Sequence, residues 1–118
     1  MRESEILSFL LAVEFPGVEA LRVQAQSARV VRQCECGCAT IDLAPDPAAP
    51  VAEGVGCPNA VEARGRARTD GRVPPDLILF VGDGRLRSVE VVSYDEPVFE
   101  MFPAPQEFER PTVPWLSD

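Results

Sequence analysis

Residues 77–94, LILFVGDGRLRSVEVVSY, decide the fold of this chain. LILFV is a continuous apolar run, suited to a central strand buried on both faces. Gly82-Asp83-Gly84 ends it with a hairpin signal, because Asp-Gly supplies positive φ at little steric cost. RLRSVEVVSY then returns as the partner strand, so residues 76–94 predict an antiparallel hairpin at the centre of a sheet.

Outward from this hairpin the pattern stays β. In VEARGRAR (61–68), Val61, Ala63, Gly65 and Ala67 alternate strictly with Glu62, Arg64, Arg66 and Arg68, as a half-buried strand requires. ARVVRQC (28–34) and ATIDLAP (39–45) read as two more strands flanking a cysteine cluster. Residues 44–58 hold four prolines and two glycines and form a loop. Nearer the N-terminus the period changes. Ile6, Phe9, Leu10 and Val13 recur as one helical face, with Glu3 and Glu5 at the dipole's positive end. Phe15-Pro16-Gly17 stops that helix. Val18, Leu21, Ala25 and Ala28 then mark a second, with Glu19, Arg22 and Gln26 outward. The predicted fold is α+β: one or two N-terminal helices (1–28) packed on an antiparallel sheet of four to five strands (28–94), within one domain spanning 1–118. The segment 95–118 differs in kind. It carries five of the twelve prolines and six acids against one arginine, so regular structure is not expected there.

The whole chain of 118 residues has a net charge of −8. That excess argues against nucleic-acid and anionic-membrane partners, which demand a basic face, and is compatible with a basic protein partner. All eleven cations are arginines, which with the Ala, Val, Pro and Gly content reads as GC-rich coding bias. The absence of histidine removes the commonest general base and metal ligand and any Ser-His or Cys-His pair. Asp95-Glu96 is the kind of acidic pair a turn carries, and no catalytic set is visible, so the expectation is a non-enzymatic protein. The N-terminal apolar stretch lacks a basic flank and a small-residue cleavage site, and no run reaches membrane-spanning length, so a cytoplasmic location with reduced thiols is expected.

Two groups of residues could carry function. Cys34, Cys36 and Cys38, with Cys57, offer four thiolates, and the cofactor expectation is accordingly none or one zinc. A tetrahedral zinc site holds sulfurs about 2.3 Å from the metal. Residues i and i+2 of a flat strand stand about 6.6 Å apart, so CECGC must curl at Gly37 to converge. Free cysteines also serve as compact hydrophobes at a buried hairpin tip, and redox chemistry is a third alternative. The second group is Phe99, Phe102, Phe108 and Trp115, with Met101, in the acidic tail. These either strap across the open face of the sheet, the one the helices leave uncovered, or form an adhesive, partner-binding surface. The arginines of RGRARTDGR (64–72) could grip phosphate, or be the solvated face of a strand paired with glutamates.

FPGVEALRVQ (15–24), CECGCATIDL (34–43) and LILFVGDGRLRSVEV (77–91), in that order, resemble a family of small actinobacterial proteins. The similarity runs to about Tyr94. It implies one compact domain in a bacterial cytoplasm and brings no activity, ligand or site residue with it. The expected function is thus an immunity- or adaptor-like interaction protein that binds or neutralises a basic protein; the alternative is a structural thiolate zinc module.

Overall fold

The computed structural model describes residues 2–33, 39–56 and 58–116. Two helices, α1 (Arg2–Leu10) and α2 (Val18–Ser27), pack on one face of a sheet built from β1 (Arg29–Gln33), β2 (Ile41–Ala44), β3 (Asn59–Arg64), β4 (Asp76–Gly82) and β5 (Arg85–Val92). All neighbours are antiparallel, in the order β1-β2-β5-β4-β3. The predicted α+β architecture is therefore present, with two α-helices and five strands among the described residues. No helix among the described residues is long and apolar enough to cross a membrane.

The hairpin at its centre turns through Asp83 (φ 52°) and Gly84 (φ 74°), between the paired residues Gly82 and Arg85. Two successive positive φ values define the two-residue turn whose twist matches that of the flanking strands. One residue further along, the register slips. Val81 faces Leu86 but Phe80 faces Ser88, so Arg87 is an extra residue on β5. This bulge brings the buried sets Leu77, Leu79, Val81 and Leu86, Val89, Val91 onto one face.

β4 departs from its sequence-based expectation. Its burial alternates, with Leu77, Leu79 and Val81 buried and Ile78 and Phe80 only half-buried. A sheet covered by helices on one side buries one face alone, so the apolar run does not mark a strand enclosed on both. β3 also ends sooner than its alternation predicts, at Arg64. The sequence facing the next residues is Pro74-Pro75, which offers no N–H to continue a ladder. The chain instead pairs with the C-terminal segment: the Arg66 N–H donates to the Glu107 carbonyl (2.8 Å) and the Glu109 N–H to the Arg64 carbonyl (2.7 Å). With the reciprocal bonds between Glu62 and Thr112, this covers the β3 edge.

α1 and the turn after it bury Ile6, Leu7, Leu10 and Leu11 and leave Phe9 and Val13 only partly covered. α2 starts after Gly17, whose φ of 93° suits glycine. It buries Val18, Leu21 and a polar residue that periodicity did not single out, Gln24. Gln24 is 0% exposed and fully satisfied. Its side-chain amide donates to the carbonyls of Pro50 and Gly84 (both 2.8 Å) and accepts from the Leu86 N–H (2.9 Å). One side chain thus ties α2, the 45–58 connection and the β4–β5 turn together. The predicted loop is held to that turn as well by the Ala52 N–H on the Gly84 carbonyl (2.9 Å).

Candidate functional site

The face of the sheet opposite the helices carries three cross-strand rows. Directly paired residues project on the same side, so the register specifies each row. The first is Arg32, Asp42, Ser88, Phe80 and Asn59. The second is Glu90, Ile78, Glu62 and Thr112, and the third is Val92, Asp76 and Arg64. Ile78, Phe80 and Val92 form an apolar centre, each half-buried.

The charges around this centre fall into two groups. Arg32 lies 3.9 Å from Asp42, and Arg87 pairs with Asp83 at 3.3 Å. Asp76 stands opposite Arg64 and accepts a 2.6 Å hydrogen bond from the Tyr94 hydroxyl, which raises the Tyr94 pKa because ionisation would set phenolate against carboxylate. Glu62 and Glu90, on either side of Ile78, have no side-chain hydrogen bond or ion pair among the described residues. The centre of the face is therefore an isoleucine between two carboxylates that make no direct ion pair among the described residues, with Arg64 in the adjacent row.

The tail aromatics point elsewhere. Phe99, Phe102 and Phe108 are buried in the same core as the helices and sheet, which leaves Phe99 and Phe102 no surface to offer a partner and leaves Phe108 only what lines a groove beside Phe9. Trp115 is partly buried, packs edge-on to Phe15 (centroids 5.8 Å apart) and donates its indole N–H to the Ala60 carbonyl (3.1 Å). The C-terminal segment thus lies against the fold as a strap, with a 3-10 turn at Pro105–Glu107. Met101 and Leu116 are the large apolar side chains it leaves exposed among the described residues, as is Tyr94 just before it.

The arginines of 64–72 hold that strap down. Arg68 bonds both carboxylate oxygens of Asp70 (3.1 and 3.0 Å) and one of Glu107 (2.9 Å). Arg72 donates to Asp95 (3.0 Å) and to the Pro97 carbonyl. Both guanidiniums lie over the Phe99 ring, 5.0 and 3.9 Å from its centroid. The phosphate-gripping alternative is left without its two C-terminal cations, which are consumed within the chain. Hydrogen bonds to the charged form lower both partner acids: Asp70 chiefly through the Arg68 side chain and then the Arg72 N–H, Asp95 chiefly through the Val73 N–H and then Arg72.

A group whose folded pKa is lowered stabilises the fold above its unfolded pKa, about 3.9 for aspartate, and loses that contribution as pH falls through the folded value. Asp95→Asn is therefore expected to lower the melting temperature at pH 7. Its melting curve should converge on that of the parent chain as pH falls through the lowered folded pKa of Asp95, where the carboxylate takes up its proton. Melting curves recorded from pH 7 to pH 2.5 check this; a constant offset across the range would remove the carboxylate from the strap's support.

Cys34, Cys36, Cys38 and Cys57, and with them the expected zinc, lie outside the described residues. Gln33 ends β1 on one edge, and Pro58 precedes β3 on the other, with its carbonyl accepting from the Val81 N–H (2.9 Å). Among the described residues no group of three or more His, Cys, Asp or Glu side chains is placed to hold a metal ion.

The face built on Ile78, Glu62 and Glu90 was not singled out by the sequence reading. A signal for it exists: the spacing of Leu86, Val89 and Val91 contains one residue too many for strict alternation, which marks the bulge and turns Ser88, Glu90 and Val92 outward. No family model, curated protein or solved structure matches the chain.

Proposed function

We propose that this chain is a non-enzymatic binding protein, immunity- or adaptor-like in kind, that takes a basic protein partner on the uncovered face of its sheet. The observation that carries this reading is the row Glu90–Ile78–Glu62 beside Phe80 and Val92. An apolar centre with charge at its margin is the anatomy of a protein interface. Two carboxylates without a direct ion-pair partner among the described residues favour a surface that brings arginine or lysine. Complementarity of this kind speeds encounter and selects the partner more than it adds affinity. The net charge of −8 attracts the same class of molecule over longer range.

The test is a titration of the isotopically labelled full chain with a synthetic peptide alternating arginine and leucine, with a glutamate–leucine peptide as control. Saturable amide shifts are expected in the middle of β4 and β5. The double substitution Glu62→Gln, Glu90→Gln should weaken binding about tenfold, corresponding to about 1.4 kcal/mol. Shifts spread instead over the acidic tail around Glu96 and Glu100, and indifferent to the double substitution, would overturn the reading in favour of unspecific charge attraction.

A further inference from the structure

On a different part of the fold, the end of α1 meets the C-terminal segment at a groove of about 470 Å³. Its walls are Phe9, Val13, Phe108 and Pro111, with the Phe9 and Phe108 rings 6.3 Å apart and tilted at 40°. Its polar lining includes Arg66 and Arg110, both exposed, and no acid. In a chain with nineteen acids and eleven cations, that is a local inversion of charge.

The chain's own folding produces the inversion. Residues 108 and 110 face the groove, while the intervening Glu109 does not line it and Glu107 is turned to Arg68 (2.9 Å). The Arg66 Nε donates to the Phe108 carbonyl (3.0 Å), which orients the guanidinium and leaves its two terminal amino groups without a partner among the described residues. Arg110 has no side-chain hydrogen bond or ion pair among the described residues. A planar guanidinium with free terminal donors matches a carboxylate, which it binds through two parallel hydrogen bonds. The volume falls within the range of about 300–1,000 Å³ typical of small-molecule sites, and apolar walls with a few placed polar groups are their usual lining.

We propose that this groove binds a small amphiphile with an apolar body and one carboxylate. The body lies against Phe9, Val13 and Phe108, and the carboxylate is held by Arg66 and Arg110. The site is independent of the sheet face, so either can fail without the other.

Octanoate and 4-phenylbutyrate, each below micelle-forming concentration, serve as aliphatic and aromatic probes. They are titrated into the full chain by calorimetry and by amide shift mapping, with 1-octanol and inorganic phosphate as controls. At least one of the two carboxylates is expected to bind saturably, with shifts at Phe9, Val13 and Phe108, at least tenfold more tightly than octanol and with phosphate inert. Which of the two binds more tightly identifies the apolar body. Arg110→Gln, at an exposed position, and Arg66→Gln should each weaken it several-fold. Octanol binding as tightly as octanoate, an affinity unmoved by both substitutions, shifts elsewhere, or no saturable binding of either carboxylate would overturn the proposal.

Discussion

A chain ending at Tyr94 is expected not to melt cooperatively. The removed segment carries Phe99, Phe102 and Phe108, all buried in the common core, and Trp115 packed against Phe15. Truncating one such phenylalanine to alanine costs about 3–5 kcal/mol. Three together approach the whole stability of a small domain, about 5–15 kcal/mol, even allowing for incomplete additivity. The loss is not only apolar. The Glu62 N–H and the carbonyls of Glu62 and Arg64 would give up their partners in the C-terminal segment and leave β3 as a bare edge. Circular dichroism and urea unfolding of residues 1–94 check the expectation, with Phe108→Ala as the graded version, expected to lose about 3–5 kcal/mol. A truncated chain that kept a sharp transition near that of the full chain would show that the helices and sheet close their core unaided.

Gln24→Leu is expected to cost roughly 3 kcal/mol or more, although it replaces a polar side chain with an apolar one of similar size in a buried position. Isosteric replacement of a buried polar group is mild only when its partners are replaced too. Here the partners are backbone: the carbonyls of Pro50 and Gly84 and the Leu86 N–H. They cannot be mutated away, and each stranded group costs about 1–3 kcal/mol. Urea unfolding at pH 7 measures the difference. Hydrogen exchange at the Leu86 amide gives a second readout, because this N–H should exchange faster through local opening even where global stability holds. A Gln24→Leu chain as stable as its parent would mean that the 45–58 connection and the turn are held by their other contacts.

Much of the fold was legible because it rests on short-range chemistry. Asp83-Gly84 set the hairpin, since few residue pairs accept two positive φ values at so little cost. The 3.6-residue spacing in 6–13 and 18–25 set two helices, and Pro16-Gly17 separated them. Gln24 was hidden because its burial comes from two loops that converge on α2 from 26 and 60 residues away. The pairing of Arg68 and Arg72 was hidden for the same reason. Their carboxylate partners include Glu107 and Asp95, 39 and 23 residues distant.

By itself, then, the sequence determined the elements, their antiparallel pairing, the charge and the lack of histidine chemistry. Tertiary structure alone decided which face of the sheet is closed. LILFV reads the same whether one side or both are covered, because an apolar run reports hydrophobicity and not the number of layers packed on it. Two helices are enough to cover one face. The tail's aromatics, free in sequence to go to either side, joined the core that the helices had begun. The bulge at Arg87 then shifted the pairing by one residue, placing Ile78 opposite Glu90 rather than Val89. Because side chains alternate along a strand, that single slip separated the buried set from the open one. It left an isoleucine between two glutamates on the face opposite the helices.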